Sequence, residues 1–366
     1  MPLKMIDNHA HSIRRDFLAC DEAEFLSLLS ESKEDMSYHV ARSVTARQFL
    51  LSLKEYSGTE SLDSYLKMRD ESCAARLFES AEIDCLLVDT GFGGESGDLA
   101  PSKSPFLTAS ELAELAGVRV YTVLRLETLF EKLLRQSESM SEVETALMSA
   151  LSSPELVALK TIRAYRGGLP ITKSGSSLFE FEAARLMVRA GRIQHCPYYE
   201  HLFFMALEYA AQKGLPLQVH CGLGDDDALL ADSNPLHLQP LLRSSLLPGL
   251  KLVLLHCYPF EREAAYLASL YEEVYMDLSL TSILVAAEFS GVLKSAFAAA
   301  PFSKILAGTD GHSQPESYWW AASRTRSSLS ELLGQWVLDK TISVDDKEEI
   351  ENLYLRGNAV RLYNLK

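Results

Sequence analysis

The chain has 366 residues, with 35 Lys plus Arg against 50 Asp plus Glu and a formal charge of −15. Apolar residues at 47% and charged residues at 23% are ordinary globular usage and exclude a disordered chain. The acidic balance argues against a nucleic-acid partner, because phosphate neutralisation needs clustered Lys and Arg, and it obliges any anionic substrate to find local positive charge.

The length fits two average domains or one large α/β barrel. No apolar run is long enough to span a bilayer, so no membrane partner is expected. The N-terminus, MPLKMIDNHAHSI, lacks the apolar core and cleavage site of a signal peptide. Cysteines 20, 73, 85, 196, 221 and 257 are scattered without a CxxC pair, which fits a reducing, cytoplasmic location.

Taken in chain order, eight short apolar runs read as strands. They are Leu3–His9, Ile83–Thr90, Val118–Arg125, Leu156–Ile162, Pro216–His220, Lys251–His256, Glu273–Leu278 and Lys304–Thr309. Most are rich in Val, Ile and Leu with few alternating polar positions, as expected of strands covered on both faces. Between them, Glu142–Leu151, Glu180–Ala190, Tyr198–Gln212, Glu261–Leu270 and Glu316–Leu333 have helical spacing. Strands alternating with helices predict a (β/α)8 TIM barrel, with an eight-stranded open sheet as the alternative.

Two connections exceed a single crossover. Residues 12–82 contain helical pieces such as Glu22–Ser30 and Ser61–Ser80, and are expected to form a helical insertion or lid after strand 1. The second, Arg163–Gly214, opens on the Gly-, Ser- and Pro-rich loop YRGGLPITKSGSS. No repeat or linker interrupts the chain, so a single domain over 1–366 with that insertion is the simplest organisation.

Ionisable residues fall where the apolar runs end. His9 and His11 close the first in DNHAH, and residues i and i+2 of a strand face the same way. Lys160 lies near the end of the fourth, His220 ends the fifth, His256 the sixth, and Asp310 follows the eighth. In a barrel these ends converge on one mouth. Four imidazoles, a carboxylate and a lysine at one mouth point to a metal site, with Zn²⁺ best suited and Fe²⁺, Mn²⁺ or Ni²⁺ open. Cys221 and Cys257, one residue past a site histidine, are expected in the core. Tyr165 and Arg166, shortly after the fourth strand, are candidates for substrate binding, as is His312. An Arg there would clamp a substrate carboxylate.

These landmarks resemble the amidohydrolase superfamily, in particular its amidohydrolase-2 branch. A narrower likeness, to the amidohydrolase domain that some proteins carry ahead of a glutamine-synthetase-like domain, rests on KTIRAYRGGL at 160–169, HCYPFEREAAYLA at 256–268 and YMDLSL at 275–280. The sequence stops soon after its eighth strand, so no synthetase-like domain is expected within it. The resemblance implies that His9, His11, His220 and Asp310 hold the principal metal. His256 would bind a second ion or the attacking water. Lys160 stands where binuclear members carry a carbamylated lysine, and an unmodified ammonium, having no lone pair, is a poor ligand.

The implied activity is metal-dependent hydrolysis of an amide-type C–N bond in a small carboxylate-bearing molecule, with Asp310 as general base and His256 in support. Rival readings are a metal-dependent non-oxidative decarboxylase, a uronate isomerase, and a non-catalytic metal-bound scaffold docking a synthetase-like partner. One ion or two, the state of Lys160, and monomer or homo-oligomer stay open at this level.

Overall fold

Every expected run contains a strand. In the computed structural model, which describes residues 3–91 and 104–366, they are β1 (Met5–Ala10), β2 (Ile83–Asp89), β3 (Arg119–Arg125), β4 (Leu156–Thr161), β5 (Leu217–Cys221), β6 (Leu252–His256), β7 (Val274–Asp277) and β8 (Ile305–Leu306). All neighbours pair in parallel in the order β1 to β8. The sheet curls until its ends meet. Asn8 N donates to Ala307 O at 2.9 Å, and Asp310 N donates to His9 O at 2.9 Å. The result is the TIM barrel, not the open sheet.

The apolar composition of the runs follows from this geometry. One face of each strand fills the barrel and the other meets the helices, as in β6, where every residue is buried. Ile6, Cys85, Leu87, Val123, Val253 and Leu255 pack inside the barrel. Ala359, Leu362 and Tyr363 of the helix Asn358–Tyr363 join them from below and plug its floor. Just before that helix, Arg356 Nη1 pairs with Asp84 at 2.8 Å, at the starting end of β2.

Residues 12–82 form five α-helices and one turn of 3-10 helix. The stretch Ser61–Ser80 is two of them, Leu62–Met68 and Cys73–Ser80, rather than one. The break has a cause in Arg69. Its backbone turns extended (φ −62°, ψ 144°), and its guanidinium reaches inward to Gln314 Oε1 at 2.8 Å, Glu316 Oε1 at 3.3 Å and Phe17 O at 3.0 Å. Tyr65 Oη also donates to Glu316 Oε1, at 2.8 Å. This polar knot, with Phe25, Phe49 and Trp320 packed beside it, fixes the helices to the start of the helix Pro315–Leu338. No helix among the described residues is long and apolar enough to cross a membrane.

Candidate metal centre at the barrel mouth

His9 and His11 leave the end of β1, Lys160 lies on β4, His220 on β5 and His256 on β6, while Asp310 follows β8. His256, Cys257 and Asp310 have φ of +65°, +62° and +56°. Non-glycine residues avoid this left-handed region, and three of them where strands become loops turn the backbone sharply at the mouth. Cys221 and Cys257 lie fully buried in the core, as expected.

The imidazoles converge on Asp310. Asp310 Oδ1 lies 3.2 Å from His9 Nε2 and 3.1 Å from His11 Nε2, and its Oδ2 is 3.8 Å from His256 Nδ1. His9, His256 and Asp310 can offer donor atoms within 4.8 Å of one another, as can His9, His11 and Asp89. Ring centroids of His220 and His256 are 4.6 Å apart.

Hydrogen bonds behind the rings settle which nitrogens carry protons. Gln218 donates from Nε2 to Asn8 O (2.8 Å) and Tyr363 Oη (3.0 Å), so its Oε1 must accept from His9 Nδ1 (2.9 Å). Ser279 donates to Asp277 Oδ1 (2.8 Å) and accepts from His256 Nδ1 (2.9 Å). His11 Nδ1 lies 3.4 Å from Asp89 O, a group that only accepts. Each Nε2 is thereby left as a lone pair when the ring is neutral. Burial, with Lys160 nearby, pushes His9 down to about 4, and burial takes His220 and His256 well below the usual histidine value.

Asp310 Oδ1 therefore faces imidazole lone pairs, and it is buried with no hydrogen-bond partner among the described residues. A buried carboxylate oxygen opposed by lone pairs is unstable unless a cation sits among them. The donor set fits a divalent ion, and each ring has the hydrogen-bonded support behind it that metal-binding histidines carry.

Two expected residues stand differently. His220 Nε2 is hydrogen-bonded to Tyr165 Oη at 3.1 Å, and it is absent from both of those groups of convergent donor atoms. Tyr165 Oη is seated so tightly against Gly224 that a Cβ there would lie 2.0 Å from it. Lys160 Nζ sits 3.2 Å from His9 Nε2, and burial pushes its ammonium down to about 8.

A cavity of about 400 Å³ opens over the cluster, and His11, Lys160, Tyr165, Arg166, His220, His256 and Asp310 line it. His312 does not; its Nδ1 lies 3.0 Å from Ser313 Oγ. The loop carrying Tyr165 and Arg166 is pinned by the buried Arg163, which donates to Gly168 O (3.0 Å) and pairs with Glu200 (2.7 Å). Gly167 turns that loop at φ +123°, where a Cβ would lie 2.7 Å from the His195 side chain.

Several wall residues escaped the sequence reading. Arg125 ends β3 and clamps Asp89 of β2 through Nε and Nη2, at 2.9 and 2.6 Å. Both lie at strand ends, so the rule that found the histidines would have found them too. Glu31 and Lys33 come from the insertion and have no local signal.

Comparison with known proteins agrees with this geometry. The amidohydrolase family model matches residues 188–365. Protein fluG of Emericella nidulans is 28% identical over 407 aligned residues, covering 99% of this chain and 46% of that protein. The chain thus spans about half the length of the curated relative it matches. A solved structure from Lactobacillus casei ATCC 334, described as a metal-dependent hydrolase, superposes with a TM-score of 0.85 at 27% identity, over 99% of this chain and 95% of that one. Uronate isomerase from Thermotoga maritima shares the fold alone, with a TM-score of 0.63 at 14% identity, over 99% of this chain and 94% of that one.

Proposed function

We propose that this chain, a member of the amidohydrolase family, is a metal-dependent hydrolase acting on an amide-type C–N bond in a small carboxylate-bearing molecule. The observation that carries the reading is the convergence of His9, His11 and His256 on Asp310, whose Oδ1 is buried without a donor among the described residues. His9, His11 and Asp310 would hold the ion, and His256, His220 and Lys160 complete the candidate set. Nitrogen and carboxylate donors without thiolate suit zinc best. A bound divalent ion supplies Lewis-acid polarisation of the scissile carbonyl and acidifies water.

The protein's own groups do the rest. Asp310, ionised among its neighbours, receives a proton at Oδ2 and returns it to the leaving nitrogen. His256, with Nδ1 tied to Ser279, keeps Nε2 as an acceptor. The packed insertion narrows access of bulk water. Carbamylation of Lys160 would leave one N–H and add two acceptor oxygens that could help hold a second ion.

The test is purification with metal analysis, followed by a screen of amides, N-acyl amino acids and free carboxylic acids. Stoichiometric metal with amide cleavage supports the proposal. Carbon dioxide release in its place transfers the site to decarboxylation. Full metal occupancy with no turnover on any panel overturns the enzymatic reading in favour of a scaffold. Labelling with ¹³C-bicarbonate reads the state of Lys160 directly.

A further inference from the structure

The charges on the cavity wall nearly all cancel within the protein. Arg125 is spent on Asp89 at 2.6 Å, and Arg192 on Asp227 at 2.7 Å. Lys33 is spent on Asp226 at 3.0 Å and Asp227 at 2.7 Å, with Asp225 at 3.8 Å. Two groups outside the metal cluster are left over. Arg166 is 7% exposed and lines the cavity; its buried Nε and Nη1 have no acceptor among the described residues, and its carboxylate neighbours are Glu127 and Glu131, the latter 3.7 Å from Nη2. Glu31, on the insertion, lines the same cavity and makes no hydrogen bond or ion pair with any described residue. A buried guanidinium with bare donors and a half-buried carboxyl without a cation are each costly unless a ligand completes them.

We infer that the substrate is an amino-acid-type zwitterion, with its carboxylate taken by Arg166, its ammonium taken by Glu31, and an amide elsewhere in the molecule presented to the metal centre. This rests on the hydrolase reading above and goes beyond it by naming a second, cationic pole. Arg matches a carboxylate with paired N–H donors, and a lone carboxylate matches an ammonium. Ile162 and Leu280, also on the wall, give apolar surface for a short aliphatic stem. Burial, with Asp310 and Asp225 adding to it, pushes the Glu31 carboxyl up to about 7, and an ammonium beside it would favour the ionised form. In the reaction, water adds across the C–N bond. The new C–O bond gives a carboxylate, and the departing nitrogen leaves with the proton carried by Asp310.

The experiment uses the metal-loaded full chain and amino acids with side-chain amides, from asparagine upward in length. Each is tested free, N-acetylated and as its α-methyl ester, with binding read by calorimetry and turnover by product release. The free zwitterion should bind about ten-fold or more tightly than either blocked form, as for loss of one charged hydrogen bond. Glu31→Gln should abolish the penalty of N-acetylation and keep that of esterification; Arg166→Gln should do the reverse. If Arg166→Gln fails to fold, judged by circular dichroism and metal content, the Glu31→Gln arm decides alone. Blocked forms binding as well as free ones, penalties unchanged in the variants, or binding by no zwitterion in the panel each overturn the inference. The two readings part cleanly. Tight zwitterion binding without turnover sinks the hydrolase and spares the pocket assignment, whereas efficient cleavage of blocked amides does the opposite.

Discussion

The two ends of the barrel obey opposite rules. At the floor, Ile6, Leu87, Val253 and Leu255 meet Leu362 and Tyr363, and apolar burial leaves little unsatisfied. At the mouth, six ionisable side chains crowd together, two at left-handed backbone positions, and a buried carboxylate oxygen lacks a hydrogen-bond partner among the described residues. One end is built for stability and the other spends stability on chemistry, the usual division in this architecture. The divide is bridged at one point. Tyr363 Oη, rising from the floor, donates to Asn8 Oδ1 at 2.5 Å and accepts from Gln218, whose other end receives the His9 proton. Asn8 in turn donates to Asp277 Oδ2 at 2.7 Å, and Asp277 accepts from the serine that supports His256. A floor residue thus helps orient two imidazoles at the mouth.

Substitutions can break this contrast or sharpen it. The largest effect is expected from Asp310→Asn, which should cut kcat by about a thousand-fold or more while much of the metal stays bound and the melting temperature holds or rises. Undiminished turnover with full metal would remove Asp310 from its role. At the other end, Leu87→Ala should cost about 2–5 kcal/mol in denaturant unfolding and leave kcat of the folded fraction near wild type. A large fall in kcat there would erase the division.

Tyr363→Phe tests the bridge. Losing the hydroxyl strands Asn8 Oδ1, so stability should fall by about 1–2 kcal/mol, and metal affinity by about ten-fold through His9. A change in stability alone would make Tyr363 a floor residue and nothing more.

The smallest expected effect concerns Glu111, a partly exposed residue in the first turn of the helix Ala109–Ala116. Hydrogen bonds from Arg15 and from Thr108 at its helix cap pull its carboxyl down to about 2 from an ordinary 4.5. A depressed folded-state value means the folded form binds the proton less readily than the unfolded chain. The stabilisation is therefore present above about 4.5 and lost as pH falls toward about 2. Glu111→Gln should lower stability by a few tenths of a kcal/mol at neutral pH, and wild type and variant should converge near pH 2, as read by acid titration of unfolding. A gap that widens toward acid would reverse the assigned sign.

The barrel was legible because strands covered on both faces must be apolar along their length, so β2, β5 and β6 announce themselves as LLVDT, PLQVH and KLVLLH. The ligand candidates were legible for a related reason. A histidine or lysine that ends such a run has no apolar duty there. Asp89 and Arg125 passed unnoticed because an oppositely charged pair on adjacent strands looks, in one dimension, like two ordinary loop boundaries. Glu31 and Lys33 were illegible in principle, since only the packing of residues 12–82 through Arg69 and Glu316 brings them over the mouth. The bond from Tyr165 to His220 was hidden likewise, because it depends on the turn at Gly167 and the bare backbone at Gly224.

The backbone at His256 and Asp310 carries one more implication. Glycine would occupy either left-handed position more comfortably than the residue found there. Laboratory evolution for heat resistance alone should drift toward glycine at these two sites, leaving a sturdier but chemically inert barrel. A heat-selected library that keeps both side chains without any demand for activity would mean that their surroundings, and not catalysis, maintain them.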